Sequence, residues 1–369
     1  MLYRNLVKLP KVRVATGLYS HLDSIIEVDR EVLEWIKKSK AVKSTNLVLD
    51  SIEEVVYTLK KAKDNESLIS RRVYDELDSF FPKRKIRLGG NGNNMGRALF
   101  ELGITPLVSY PIRSEKIMKA SPNFKVAVRD KITTPIKAIR KNDPNYDHII
   151  FESKKWRDIL CWDLMTSGGV FDRDFLKLAF NLKFTDISII SYAHLLLPSY
   201  KKRTDYILEF IKKKRPKIHL EFGLGSLDSM RYAMEKFSES DACDSWGLDE
   251  EECKTYLKAS SYNKEDLIEA ALKAIKEFNL RRICIHSSKF AFSISKYETR
   301  KEVEALSDGC LVAGVKAFGK NIKKRITPTK RKLNNYNFCL IPTFYTKSPK
   351  MLIGLGDVLA AVQAVKALA

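Results

Sequence analysis

Short apolar runs alternate with amphipathic helical stretches along most of this chain, and that rhythm constrains the fold more than any other feature. Val12 to Ala15, Lys85 to Leu88, Ile187 to Ser191, Lys217 to Phe222, Arg282 to His286 and Phe338 to Thr343 read as strands bounded by turn signals. Helical stretches at Arg30 to Lys38, Ile52 to Lys63, Asn94 to Leu102, Arg203 to Lys213 and Lys264 to Phe278 fall between them. Continuous rather than alternating apolar strands are those buried on both faces, so the pattern predicts a doubly wound α/β fold, mostly parallel, with helices on both sides of the sheet.

One stretch departs from this rhythm. From about Pro111 to Glu152 the apolar segments are short and strand-like (Lys125 to Arg129, Thr133 to Ile139, Asp147 to Glu152), which predicts a small antiparallel β lid inserted into the α/β body. The expected division is a large discontinuous body of residues 1–23, 51–110 and 160–369, and a lid of about 24–50 and 111–159.

Composition narrows the functional classes. The 369 residues carry a net charge of +21, yet the basic residues are spread over the whole chain and no nucleic-acid module is recognisable. A solvated basic surface accounts for this, and a site for an anionic ligand is compatible with it. A single glutamine, Gln363, beside abundant Lys, Arg and Glu is the balance expected of a protein from a hot organism. No apolar run reaches the roughly 20 residues that span a bilayer. Lys8, Lys11 and Arg13 interrupt the first apolar residues, so a cytoplasmic protein is expected. The six cysteines form no CxxC pair and are expected to be reduced and mostly buried.

Four motifs carry chemistry. The sharpest is Gly354-Leu355-Gly356-Asp357, which runs into a helical stretch from Val358 to Ala369. Two glycines allow backbone N–H groups to converge at a helix N-terminus, where a transferring phosphoryl group would be stabilised. Asp357 would then accept a proton from a hydroxyl; the alternative is a plain Asp N-cap. The second is Gly89-Gly90-Asn91-Gly92-Asn93-Asn94, a turn dense in amides that suits a hydroxylated ligand or is a structural glycine turn. The third joins His219 and Glu221, on one face of a strand, with Asp249 and Glu252, on one face of a first helical turn. Their oxygens suit Mg²⁺, and a capping box explains the second pair equally. The fourth is Asp23, just after the first strand, whose two oxygens could clamp two sugar hydroxyls; the alternative is a plain exposed loop aspartate.

The order of these motifs, from Asp23 through the Gly/Asn turn, His219-Leu220-Glu221, Ser245 to Glu252, Ile341-Pro342-Thr343 and Gly354 to Asp357, resembles the archaeal ADP-dependent sugar kinases, the phosphofructokinases and glucokinases of the ribokinase-like superfamily. The resemblance covers essentially the full chain. It implies Asp357 as catalytic base, with Gly354, Leu355 and Gly356 as anion hole. It implies Asp249, Glu252, His219 and Glu221 around Mg²⁺. Asp23, Gly90, Asn91 and Asn94 fall on the acceptor side, and Pro342, Thr343 and His286 on the nucleotide side. The implied partners are ADP and a sugar or sugar phosphate, with no specific nucleic acid and no membrane, in a monomer or small homo-oligomer acting in carbohydrate metabolism. Alternatives are an ATP-dependent ribokinase-like kinase of a sugar, ribose phosphate or nucleoside, and a nucleotide- or sugar-binding protein without catalysis. Departures from the family pattern are Asp249 where Asn is usual, Gly92-Asn93-Asn94 in the acceptor loop, and Tyr192 where Gly is usual. Arg113, Lys125, Arg129 and Lys131 in the lid candidate predict an anionic acceptor.

Overall fold

The computed structural model describes all residues except 1, 2, 4, 5, 83, 146, 163–169, 193–197, 224, 323–325 and 347–353. Ala193 and His194, part of the basic run near Lys323, and Ile353 before the terminal glycines lie outside the described residues.

Nine strands form the main sheet, in the order Leu107–Val108, Val14–Gly17, Ile187–Tyr192, Lys217–Phe222, Ser245–Asp249, Arg282–His286, Phe290–Ser295, Tyr336–Pro342 and Thr329–Leu333. The first six are parallel. The last three turn back on one another as an antiparallel edge. Of that edge the sequence pattern shows only Tyr336–Pro342: Phe290–Ser295 alternates hidden apolar residues with serines, and Thr329–Leu333 is mostly exposed and basic.

Helices cover both faces, as the continuous apolar strands require. On one side Met95 and Leu99 of the Asn91–Glu101 helix and Ala361, Ala364 and Val365 of Leu355–Leu368 pack on Val14, Ile187 and Ile189. Leu306 and Cys310 of Thr299–Phe318 extend that layer over Cys284 and Ile341. On the other side Phe175, Ile207, Met230, Leu267 and Ile275 close over Ile190, Leu220, Trp246 and Ile283. None of the six cysteines forms a disulfide, and all are buried. No described helix is long and apolar enough to cross a membrane.

A second sheet has the order Val48–Leu49, Asn65–Ile69, Arg157–Cys161, Asp147–Glu152, His21–Glu27 and Lys85–Gly89. It is mixed, and one face buries Ile26, Leu49, Ile69, Ile149, Phe151 and Leu160 under helices Arg30–Lys38, Ile52–Leu59 and Arg71–Phe80. This layer draws on other segments than those expected. Ile52–Phe80, read as part of the large body, packs here because Val55, Leu59, Val73 and Leu77 find their apolar partners on this sheet. Conversely the hairpin Val126–Val128 and Lys131–Thr133 belongs to the main core, with Phe124, Val126 and Ala127 buried beside Leu107 and Phe175. Thr133 to Ile139 is not a strand; it holds a short 3₁₀ turn at Ile136–Ala138. Arg113 is not a surface cation either. It is 1% exposed and bonded to Asp172 at 2.7 Å, so it holds the core rather than a ligand.

Candidate active site

The C-terminal helix begins at Gly354, which sits at φ +71° and caps it without a side-chain bond. Positive φ is open to glycine at little cost, and a Cβ here would also stand 2.8 Å from the Asn94 side chain. Asp357 is therefore not the N-cap; it lies in the first turn. Its carboxylate is gripped from the Gly/Asn turn: Asn91 Nδ2 donates to Oδ1 at 2.8 Å and Asn94 Nδ2 to Oδ2 at 2.9 Å. The helix that presents both amides starts at Asn91, three residues earlier than expected, behind Gly90 at φ +83°. Burial pushes the Asp357 carboxyl above its usual range, opposed by the two amides and by the charge of Lys316.

Lys316, on the long Thr299–Phe318 helix, donates to the Gly354 carbonyl at 3.2 Å. Its own pKa is drawn down to about 8 by burial, against the upward pull of Asp357. The apolar spacing of that helix gave no reason to single this lysine out, since the signal is its place opposite the Gly354 carbonyl.

A second constellation lies at the C-terminal ends of the parallel strands. Glu221 Oε1 accepts from His219 Nε2 at 2.7 Å, and Glu221 Oε2 stands 3.8 Å from His286 Nε2. Burial alone would raise the Glu221 carboxyl, but its hydrogen bonds to His219 and His286 and the charge of His286, whose pKa is raised, hold it below its usual range. His219 was expected among the metal ligands and is not available as one. Its Nδ1 meets Ser245 Oγ at 2.9 Å, so both ring nitrogens are engaged and the ring holds Glu221 in place. Burial lowers its pKa, consistent with a neutral ring that donates through Nε2. Behind it the network continues through Arg282, which bonds Ser245 Oγ at 3.2 Å and Glu302 at 2.8 Å with both partners fully buried. Gly247 on the next strand is needed for this arrangement, because a Cβ would lie 1.8 Å from Glu221 Oε1.

Asp249 and Glu252 do form a capping box, each backbone N–H donating to the other's carboxylate, at 2.7 and 2.9 Å. That takes one oxygen from each. The Glu252 carboxyl is pushed well above its usual range by burial, Asp249, Glu221 and Asp357. Several acids thus gather here, with carboxylate oxygens of the kind Mg²⁺ takes; the ligand atoms of Glu221, Asp249 and Glu252 do not all lie within 4.8 Å of one another, so an ion shared by them would be held in part through water.

Between the acids and the terminal helix opens a cavity of about 390 Å³, lined by Asp249, His286, Thr343, Phe344, Gly314 and Gly356 among others. Its lining is polar at Asp249, His286 and Thr343 and apolar at Ala313, Phe344 and Leu359. Gly314 makes room for Phe344, whose Cβ would be 2.8 Å from an added side-chain carbon. Pro342 ends its strand exposed and does not line the cavity. A larger cavity, about 870 Å³, opens beside helix Lys264–Glu277 but holds none of the candidate residues.

Asp23 is not on an exposed loop. It lies buried in the second sheet, 3.3 Å from His21 Nε2 and from Arg87 Nε. Asp357 is held instead by Asn91 and Asn94, and Asn93 of the same turn donates to the carbonyls of His21 and Gly89 in the second sheet. Tyr192, which stands where glycine is usual in the resembled family, is buried in the core against Phe237, with its hydroxyl 2.5 Å from Thr204 Oγ1.

No family profile matches the chain, and no curated protein sequence matches it. Solved structures do. A hypothetical ADP-dependent phosphofructokinase from Pyrococcus horikoshii OT3 superposes with a TM-score of 0.77 at 17% identity, over 98% of each chain. A phosphofructokinase from the same organism, solved with AMP, gives 0.75 at 17% identity over 98% of this chain and 99% of that one. An ADP-dependent kinase in complex with fructose-6-phosphate and ADPβS gives 0.76 at 16% identity, over 96% of this chain and 93% of that one. The resemblance read from the sequence holds at the level of the fold, from end to end.

Proposed function

We propose that this protein is a phosphotransferase that moves the terminal phosphate of ADP to a hydroxyl of a sugar or sugar phosphate, with Mg²⁺ as cofactor. The observation that carries this reading is the Asp357 carboxylate, half-buried in the first turn of a glycine-capped helix and aimed by two amides. A hydroxyl brought to it loses its proton to Asp357, and its oxygen attacks the terminal phosphorus of ADP. The bond to the bridging oxygen breaks, leaving AMP and the phosphorylated acceptor. The N–H groups at the helix start after Gly354 point where charge develops on the transferred group. Lys316, fixed on the Gly354 carbonyl, adds a positive charge behind that turn. Mg²⁺, when bound, neutralises phosphate oxygens and aligns them for in-line displacement. Glu221, Asp249 and Glu252 would hold it, and His219 with Ser245 fixes the Glu221 carboxylate.

Donor choice follows from the same geometry. With the terminal phosphorus at the Gly354–Asp357 turn and the base against Phe344 and Thr343, a third phosphate would displace one end or the other. A shift of about 1 Å can already cost on the order of 10²-fold in rate. Fructose-6-phosphate, held by one structural relative, is the first acceptor to try. The test is a screen of sugars, sugar phosphates and nucleosides with Mg²⁺ and either ADP or ATP, each freed of other nucleotides, reading AMP or ADP formation. Turnover with ADP and a sugar-class acceptor is expected. Equal or greater kcat/KM with ATP would move the protein to an ATP-dependent branch, and no turnover with any acceptor would reduce it to a binding protein.

A further inference from the structure

We propose that His21, Asp23 and His148 bind a transition-metal ion of the Zn²⁺ class on the second sheet, separate from the nucleotide's Mg²⁺. His21 and Asp23 are two residues apart on strand His21–Glu27, so the strand period turns both to one face. The parallel register of the neighbouring strand sets His148 directly beside Asp23. One donor atom from each residue lies within 4.8 Å of the other two. His21 Nε2 and Asp23 Oδ1 are 3.3 Å apart. A tetrahedral ion with donors at about 2.0–2.2 Å has edges of roughly 3.3–3.6 Å, so this pair already stands at a ligand–ligand spacing.

The surroundings are built for such an ion. All three side chains are buried, with exposures of 6%, 3% and 8%. The rings of His21 and His148 lie 3.7 Å apart between centroids, tilted by 33°, which brings two imidazoles together on the same side as a carboxylate. Arg87 Nε, 3.3 Å from Asp23 Oδ2, fixes the oxygen turned away from His21, the outer support that metal-binding carboxylates commonly have. Gly89 gives the carboxylate its space, since a Cβ there would stand 1.9 Å from Asp23 Oδ1. Cys161 Sγ, 3.5 Å from His148 Nδ1, supplies a soft donor at the rim of the cluster. Two imidazoles and one carboxylate suit Zn²⁺, Co²⁺ or Fe²⁺ and are a poor set for Mg²⁺, which favours oxygen alone. An acceptor clamp would need the carboxylate of Asp23 and leaves the pairing of two histidines beside it without a role.

The site is tested with the metal alone. Full-length protein stripped with chelator and titrated with Co²⁺ should bind one equivalent with the visible bands of a low-coordinate ion, displaced by Zn²⁺. His148→Ala and His21→Gln should each weaken cobalt binding by at least about 10–100-fold, with folding checked by circular dichroism. Glu252→Gln, at the acids near the nucleotide cavity, should leave the bands unchanged. Absence of the bands in wild-type protein overturns the proposal, as does cobalt binding that survives both folded histidine variants. The readout is independent of turnover. Failed cobalt binding with intact phosphoryl transfer removes the metal and keeps the proposed reaction, and the opposite result does the reverse.

Discussion

The carboxylate of Asp357 is held by the side chain of Asn91 at 2.8 Å, across 266 residues of sequence. Because Asn91 is neutral, it orients the carboxylate without the strong downward pull on basicity that an arginine would exert. Burial then dominates, and the group stays a stronger base than an exposed aspartate.

Asp357→Asn is expected to fold and to lose about 10²–10⁴-fold in kcat. An amide keeps the size and can still accept from one of the two asparagines, so thermal melting should shift little. Wild-type kcat in this variant, with a verified acceptor, would reduce Asp357 to a structural role.

Glu252→Gln should preserve the capping box, because a glutamine oxygen still accepts from the Asp249 N–H. It removes an anionic oxygen from the acidic cluster. The expected outcome is a higher Mg²⁺ concentration for half-maximal rate and a kcat lower by about tenfold or more, with the melting temperature nearly unchanged. Turnover of the wild type that persists undiminished in excess EDTA would exclude the metal.

Gly247→Ala introduces a carbon at 1.8 Å from Glu221 Oε1 in a strand that cannot yield easily. Overpacking of this kind costs about 1–3 kcal/mol, and the displaced carboxylate should lower the rate as well. Calorimetry and kinetics on the same sample check both. A variant with unchanged stability and rate would show that Glu221 has another rotamer to occupy.

Lys316 sets a pH window. Its folded pKa of about 8 lies below the ordinary lysine value because burial disfavours the charge, with Asp357 and Glu101 pulling up and Arg97 and Arg87 pushing down. Between about 8 and the unfolded value near 10.4 the unfolded chain binds the extra proton, so this lysine's cost to stability is full below pH 8 and fades as pH rises. Over the same rise the charge behind Gly354 is lost. In the wild type kcat/KM should therefore fall above about pH 8. Lys316→Met should lack that limb, start from a lower rate at pH 7, and melt higher than wild type at pH 7, with the gap closing toward pH 10. An identical pH profile in both proteins would separate Lys316 from the reaction.

Strands whose apolar residues run on unbroken were legible in the sequence, as were the glycine turn before Asp357 and the acids at the ends of Lys217–Phe222 and Ser245–Asp249. Period and turn chemistry are local, and these features are local. What escaped depends on partners far along the chain. His219 reads as a ligand until Ser245 is found on its other nitrogen. Arg113 reads as a surface cation until Asp172 closes on it. Asp23 reads as a loop residue because the strand that carries it opens His-Leu-Asp-Ser, with apolar residues together only at Ile25 and Ile26. Asn91 and Asn94 were marked for their amides, but nothing nearby in sequence names Asp357 as what they hold. Helices Ile52–Leu59 and Arg71–Phe80 have apolar stripes that fit either sheet equally well, so their place was a matter of tertiary choice.

The first turn of the Asn91–Glu101 helix joins two parts of the molecule at once. Asn91 and Asn94 face the terminal helix, while Asn93, between them, is tied to the carbonyls of His21 and Gly89 and receives the Tyr110 hydroxyl at 2.7 Å. Adjacent side chains on one rigid turn cannot move independently. Any tilt of the second sheet therefore reaches the Asp357 carboxylate as a change in the aim of its two donors, and a molecule seated against that sheet would adjust the reactivity of the base without touching it.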